Sequence, residues 1–447
     1  MSRKYFGTDG IRGEFGVNPL TKEFFTILGV AVGKSLLSKT DCGKKIIIGS
    51  DTRKSCNEII DLISIGLNSA GYKIDNAGVV PTPAISFYTK RKNYALGIMV
   101  SASHNLYKDN GIKIFNNSGF KISIEDENYI EDYIEIIKNQ DIQYNNSFSL
   151  NDISEEIQSE YIDFCLGNVL FNNRVSNNLT LDLANGANFK IAKKVFTKAG
   201  YDIKTYNDKP NGKNINDKCG STYLKELPKL VINNESQYGI SMDGDGDRIV
   251  IVNKKGKIID GDDILYTIIR GKILEGEVVK GVVGTTMTNC ALEDFLSKKK
   301  ISFIRANVGD KYILEKMLEN KYDLGGETSG HILMLDKSTS GDSIIATLQF
   351  LYYSDILEKN NINNLLDKYP QKITNLHIDK DLPDNICNIA IKKSVDKFSV
   401  YKVRLVIRKS GTENCIRVMV EAKDEDLVDK MSFEISKFIK DELKKLL

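Results

Sequence analysis

The sequence predicts an α/β protein built on mixed, mostly parallel sheets, with a smaller α+β unit at its C-terminal end. Three observations carry this. Short apolar runs such as Lys45-Ile46-Ile47-Ile48-Gly49 alternate with stretches of helical length and period, the pattern of βαβ units. The alternation restarts near Leu179 and again near Asp263, so three comparable αβ segments follow one another. From about Lys372 the order changes to strands near 402–407 and 415–421, then one long helical pattern over 426–446. At 447 residues the chain is too long for a single core.

In chain order, the glycine-rich start Tyr5-Phe6-Gly7-Thr8-Asp9-Gly10-Ile11-Arg12-Gly13 reads as a structured loop that offers Asp9 and Arg12. A helix over 24–37 precedes the strand at 45–49, which ends in Ser50-Asp51-Thr52-Arg53, and a second helix covers 57–70. Strand 73–77 leads to Val79-Val80-Pro81-Thr82-Pro83-Ala84, read as a stiffened loop. Residues 97–100 form a buried strand that breaks into Ser101-Ala102-Ser103-His104-Asn105 and resumes at Ile112-Lys113-Ile114-Phe115. The polar region 125–154 reads as a surface helix and a linker. The second segment has strand 179–183, helix 189–199, helix 223–233 and strand 238–242, then a hairpin turned at Lys254-Lys255-Gly256. The third has helix 263–274, strand 281–285, helix 291–299, strand 302–305, a further helix, the loop 325–332 and a long helix over 342–357.

Composition excludes several classes. A net charge of +2 gives no reason to expect nucleic acid or an anionic membrane as partner. No apolar run approaches the roughly 18 residues of a membrane span, and the first residues lack the apolar core of a signal peptide. The seven cysteines are scattered and never in C-x-x-C spacing, which fits reduced thiols and a cytoplasmic location. Three histidines are too few for a multi-histidine metal site.

Four constellations carry chemistry. Ser103 stands where a strand stops in a polar cluster, the place where α/β sheets bind ligands; an ordinary polar turn is the alternative. Asp243, Asp245 and Asp247 alternate with glycines directly after a strand. Three carboxylates so close repel unless a cation neutralises them, and oxygen donors suit magnesium or calcium. The spacing is not that of an EF-hand, because Arg248 stands where glycine is needed and Lys254 where glutamate is needed. Three carboxylates underfill a six-coordinate ion, so a phosphate oxygen could complete it, with Arg248 alongside. Gly326-Glu327-Thr328-Ser329-Gly330-His331 places a carboxylate and hydroxyls between glycines, suited to a polyol or simply to a turn. Arg408-Lys409-Ser410-Gly411-Thr412-Glu413, with Arg417 beyond, suits a phosphate dianion or a charged hairpin. A kinase also needs a nucleotide site, and none is found. A phosphatase needs no second phosphate grip. A mutase uses all four.

With these motifs assembled, the sequence resembles the α-D-phosphohexomutase superfamily along essentially its whole length. The starting Tyr5–Gly13 motif, Arg305-Ala306-Asn307-Val308-Gly309-Asp310 and the run from His331 to Asp342 are similar to its glucosamine branch. The resemblance implies four domains around a central cleft: three similar α/β domains at 1–153, 154–255 and 256–369, and a TBP-like α+β domain at 370–447. It implies that Ser103 is the phosphoserine and, with Asp243, Asp245 and Asp247, a magnesium ligand. Glu327 and Ser329 match the sugar-contacting pair, with Arg248 near the substrate. Arg408, Ser410, Gly411, Thr412 and Arg417 match the phosphate-binding loop. Arg12 and Lys113 match basic residues at the reacting centre, Lys113 being the general acid/base candidate; His331 is a second proton-transfer candidate and His104 an orienting residue. The implied reaction interconverts glucosamine 6-phosphate and glucosamine 1-phosphate through a hexosamine 1,6-bisphosphate, for the supply of UDP-N-acetylglucosamine. Mannose or glucose phosphate chemistry, or a magnesium-dependent sugar phosphatase, are the alternatives. A small sugar phosphate is the implied partner. The assembly, a homodimer included, and the route that loads the serine, by a kinase or by autophosphorylation, stay open. Two departures stand out: Leu106 and Asn414 occupy positions where the family usually has proline, which loosens both loops without removing a reacting group.

Overall fold

Strand Leu96–Val100 is buried at every residue, as the apolar run requires, and becomes a central strand covered on both faces. The computed structural model describes residues 4–36, 43–140, 149–170, 177–363, 365–378, 382–409 and 414–446. The first sheet runs Ile11–Glu14, Asp109–Asn116, Leu96–Val100, Lys45–Ser50, Lys73–Val79, Asn151–Asp152. Its core strands are parallel, and Asp109–Asn116 returns antiparallel to Leu96–Val100. Phe24, Phe25 and Leu28 of helix Lys22–Leu36, Ile59 and Ile63 of helix Cys56–Ser69, and Ile130 and Ile134 of helix Ile124–Ile137 pack in one core with Ile46, Ile48 and Ile98 of the sheet.

Two readings change here. The run around Pro81 and Pro83 is not a loop: helix Thr82–Arg91 begins there, with Pro83 in its first turn. Proline has no N–H to lose at a helix start and its φ already suits it. Likewise, the polar region 125–154 is more than a helix and a linker. Helix Ile124–Ile137 begins with a capping box between Ser123 and Asp126. Strand Asn151–Asp152 then joins the first sheet, before helix Ser154–Gly167 buries Ile157, Tyr161, Ile162 and Cys165.

The second sheet runs Ile258–Ile259, Ile249–Asn253, Tyr238–Met242, Asn178–Asp182, Asp202–Tyr206. The last three strands are parallel, and Ile249–Asn253 is antiparallel to Tyr238–Met242. In the third segment, Gly281–Thr285 is parallel to Leu324–Gly326, which pairs antiparallel with Ile332–Met334. One arrangement therefore recurs three times. A strand from the parallel core ends, a short loop follows, and the chain returns antiparallel beside it. Those loops are 101–108, 243–248 and 327–331.

The chain divides into two compact units, Met1–Thr285 with Ala306–Leu365, and Thr286–Arg305 with Leu366–Leu447. In the second unit, the antiparallel sheet Gln371–His377, Cys415–Glu421, Arg404–Lys409 is packed by helices Asp384–Phe398 and Glu425–Leu446 around Leu376, Ile416, Val418, Val420, Met431 and Ile435. Arg404 binds Glu421 at 3.0 Å and the Thr286 and Thr288 carbonyls at 2.7 and 3.0 Å, and Asn289 exchanges hydrogen bonds with the Tyr369 backbone, so residues 286–305 belong with this unit. Strand Gln371–His377 escapes sequence reading because it lies at the sheet edge and buries only Leu376.

Helix Ser343–Lys359 is capped by Asp342, whose carboxylate accepts from the Ile344 and Ile345 amides at 3.0 Å each and from the Tyr161 hydroxyl at 2.7 Å. Burial pushes this carboxyl up to about 6. The folded state therefore favours its proton between the unfolded value, about 4, and about 6, and stability falls as pH rises through that window. Asp342→Asn keeps an amide oxygen for the cap and cannot ionise. Its melting temperature, relative to wild type, should rise by about 2 °C or more between about pH 4.5 and pH 7.5. Parallel pH curves for the two proteins would contradict the assignment.

Candidate active site

Ser103 closes the tight loop after Leu96–Val100 and takes a left-handed backbone, φ 51°. Its N–H donates to Ser101 Oγ at 2.9 Å, and Ser101 Oγ donates to Asp51 at 2.6 Å. Its own hydroxyl, fully buried, donates to Asp243 Oδ2 at 2.6 Å. The serine loop of the first αβ segment thus meets the aspartate loop of the second.

That meeting explains the glycines between the aspartates. A side chain at Gly244 would lie 2.6 Å from the Ser103 carbonyl oxygen and 2.7 Å from Asn216 Nδ2. Gly246 needs its positive φ of 73°. The backbone then folds over so that the Asp247 and Arg248 amides both donate to Asp243 Oδ1 at 3.1 Å. Ligand oxygens of Asp243, Asp245 and Asp247 all lie within 4.8 Å of one another, and all three residues are buried.

The electrostatics are unbalanced in a telling way. Lys113 reaches Asp245 at 2.8 Å, Asp247 at 2.7 Å and Asp9 at 3.3 Å. Burial disfavours its ammonium, but these three carboxylates hold it firmly protonated. Burial also opposes Asp247, yet Lys113, His331 and Arg248 drive it well below the usual carboxylate range. Asp243 goes the other way: burial, with Asp247 and Asp245 beside it, pushes it far up. Asp245 Oδ1 and Asp247 Oδ1 are buried with no hydrogen-bond partner. Orphaned oxygens on three carboxylates crowded into one buried volume fit a small, hard divalent cation.

Basic groups surround the cluster. Arg12 is bound to Asp9, and Lys121 bridges Asp9 and Asp310. Burial opposes ionisation of Asp9, but Lys113, Lys121 and Arg12 keep its carboxyl well below the usual range. Arg248 Nε lies 3.8 Å from Asp247. His331 sits between Asp247 (3.7 Å) and Asp310 (3.5 Å); burial would lower its basicity, and these carboxylates raise it overall. His104 Nδ1 is 3.3 Å from Ser103 Oγ, and burial with Arg248 and Arg12 nearby lowers it to about 4, a neutral ring at physiological pH and a weak base.

The 327–331 loop is strapped by backbone. The Ile249 amide donates to the Gly330 carbonyl at 3.0 Å, and the Gly261 amide to the Thr328 carbonyl at 3.1 Å. Glu327 is buried and accepts from the Gly309 amide at 3.0 Å; Ser329 is exposed. In the second unit, Arg408 and Arg417 stand directly opposite on adjacent strands. Burial and the Arg417 charge both lower the basicity of Arg408. Ser410, Gly411 and Thr412 lie outside the described residues.

Sequence reading brings Ser103, Lys113, Arg12, the three aspartates, Arg248, His104, His331 and Glu327 into consideration, and all lie in the first unit. It misses Thr82, whose hydroxyl and amide bind Asp245, the latter at 2.8 Å to the carbonyl. It also misses Lys121, Asp310, Asn216 and the buried pair Asp51–Arg53. The only local signal for the last was a charged S-D-T-R run at the end of a buried strand.

Comparison with known proteins agrees with this layout. Four family models for phosphoglucomutase/phosphomannomutase match in order: alpha/beta/alpha domain I at residues 3–141, domain II at 159–256, domain III at 260–373 and the C-terminal domain at 376–437. Phosphoglucosamine mutase of Neisseria meningitidis serogroup A is 40% identical, over 95% of this chain and 96% of its own. That of Mannheimia succiniciproducens is 41% identical, over 98% and 99%. A phosphoglucomutase/phosphomannomutase family protein of Burkholderia thailandensis superimposes with a TM-score of 0.81 at 18% identity, covering 99% of this chain and 98% of that one. The N-acetylphosphoglucosamine mutase of Aspergillus fumigatus, solved with GlcNAc-6P and magnesium, gives a TM-score of 0.65 at 18% identity, covering 98% and 96%.

The contact between the serine and aspartate loops makes Gly244 intolerant of a side chain. Gly244→Ala should lower stability by about 1–3 kcal/mol through overpacking. Gly167→Ala, where a methyl meets nothing within 4 Å, serves as the control and should melt close to wild type. Equal melting temperatures for both variants would show that the two loops are not in contact.

Proposed function

The chain belongs to the phosphoglucomutase/phosphomannomutase family of phosphohexomutases, and we propose that within it this enzyme interconverts glucosamine 6-phosphate and glucosamine 1-phosphate. The observation that carries the covalent mechanism is the buried 2.6 Å contact between Ser103 Oγ and Asp243, within the aspartate cluster. The choice of sugar rests on relatives named phosphoglucosamine mutase that align over nearly the whole chain.

In this reading Ser103 carries a phosphoryl group between turnovers. Asp243, Asp245 and Asp247, with the phosphoserine, hold Mg2+, which when bound neutralises charge on the transferring group and orients its oxygens. Arg12 and Arg248 add positive charge at the same place. Glu327 and Ser329 hold the sugar hydroxyls. The Ser103 phosphoryl group passes to the free sugar hydroxyl: the bond to Ser103 Oγ breaks and a bond to the sugar oxygen forms. Lys113 helps move the proton of the sugar hydroxyl to the departing serine oxygen, with His331 as the second proton-transfer candidate. The glucosamine 1,6-bisphosphate turns over, and the reverse step returns its other phosphate to Ser103. Throughout, Arg408, Ser410, Gly411, Thr412 and Arg417 grip the phosphate that is not in transfer. One loop must accept either end of the sugar, which favours a hinge near residue 370 and functional segments at 1–153, 154–255, 256–369 and 370–447. The product suits UDP-N-acetylglucosamine synthesis in the cytoplasm; among the described residues no helix is long and apolar enough to cross a membrane.

Two measurements test this. The kcat/KM on glucosamine 6-phosphate should exceed that on glucose and mannose 6-phosphates; a preference for either hexose would reassign the substrate. Ser103→Ala should lose at least about 1000-fold in kcat with its circular dichroism unchanged, and an active variant would refute the covalent mechanism.

A further inference from the structure

Ser103 holds a left-handed backbone that costs a non-glycine residue about 1–2 kcal/mol, so something must over-determine it. The family resemblance leads one to expect a proline at 106 as the stiffener, and Leu106 stands there instead, with its side chain exposed.

The loop is held from outside itself. Arg53 lies in the buried run after strand Lys45–Ser50, its side chain at 0% exposure, with Nε 2.8 Å from Asp51, also at 0%. Its Nη2 donates to the Ser103 carbonyl at 3.1 Å and the Asn105 carbonyl at 2.9 Å. Its Nη1 donates to the Asp109 carbonyl at 2.8 Å and to the Leu106 carbonyl. One guanidinium thus collects three carbonyls of the serine loop, including the one at the missing proline, and the first carbonyl of the returning strand. From the second αβ segment, Asn216 Nδ2 donates to the same first two carbonyls, Ser103 at 2.8 Å and Asn105 at 2.9 Å. The Ser103 peptide is therefore fixed on both sides: its carbonyl by Arg53 and Asn216, its N–H through Ser101 to Asp51.

We propose that Arg53 and Asn216 are positioning residues for phosphoryl transfer, a buried double clamp that holds Ser103 in register with Asp243. The inference rests on the covalent role of Ser103 proposed above. Asn216 comes from the segment that also supplies the aspartates, so the clamp sets the serine loop against the aspartate loop. Displacement of a reacting group by about 1 Å costs about 100-fold in rate, and this clamp resists such a displacement.

The test uses the full-length protein, dephosphorylated and then given glucose 1,6-bisphosphate with magnesium, with the rate of phosphate gain on Ser103 followed by intact and peptide mass. Asn216→Ala removes two donors and leaves Arg53 to satisfy both carbonyls, so the fold should survive. Arg53→Lys keeps a charge against Asp51 and loses the fork. Both should load Ser103 and turn over about 10- to 100-fold more slowly, with KM within about twofold and Asn216→Ala melting within about 2 °C of wild type. Loading by Asn216→Ala at the wild-type rate would overturn the clamp, as would a slow rate explained by a matching loss of folded protein. A wild-type chain that takes no phosphate on Ser103 would instead overturn the covalent reading, and the clamp with it, a result distinguishable from equal rates.

Discussion

Three buried carboxylates that must share one small volume are the constraint on which the site depends. Two like charges about 4 Å apart repel by about 4 kcal/mol even at an effective dielectric near 20. Asp243, Asp245 and Asp247 are closer to this regime than any exposed acidic turn. The surroundings answer that repulsion piece by piece. Lys113 leans on two of them, Arg248 and His331 face Asp247, and Asp243 takes the Ser103 hydroxyl. Ser103 is thus placed by the same charge problem that calls for a cation.

The fold supplies a reason why these groups converge. Each of the three αβ segments ends a strand of its parallel core in a short loop before an antiparallel return, and each such loop carries one chemical element: a serine, a carboxylate cluster, a glutamate between glycines. Side chains at the carboxyl ends of parallel strands face ligands in open sheets generally. Repeating that placement lets one site draw on three segments without any of them leaving its own core.

Much of this was legible in the residues. Ile46 to Ile48 announce a buried strand, Asp-Gly-Asp-Gly-Asp-Arg announces a tight carboxylate cluster that fits a cation, and the break after Val100 announces the loop that meets it. What stayed hidden depends on partners distant in sequence. Nothing local to Arg53 tells which carbonyls its guanidinium will serve, since they lie about fifty residues on. Lys121 gains meaning only when Asp9 and Asp310 close around it. Pro81 and Pro83 misled for a different reason: proline speaks equally for a turn and for the first turn of a helix, and only the packing of helix Thr82–Arg91 decides. The strand Gln371–His377 lacked an apolar alternation because an edge strand has little to bury.

The loop 327–331 leaves evolution little latitude. Its main chain is pinned through Gly330 to Ile249 and through Thr328 to Gly261, where a side chain on either glycine would run into backbone, and the Thr328 hydroxyl is tied to Asp262 at 3.2 Å. Lengthening or reshaping that loop would unseat the strand that leaves the aspartates. Glu327 is buried and holds the Gly309 amide, so of the polar side chains between the two glycines Ser329 alone points outward. Change that leaves this backbone in place is therefore confined to side-chain exchange at that position, and insertions, the usual route by which surface loops diversify, are closed to it.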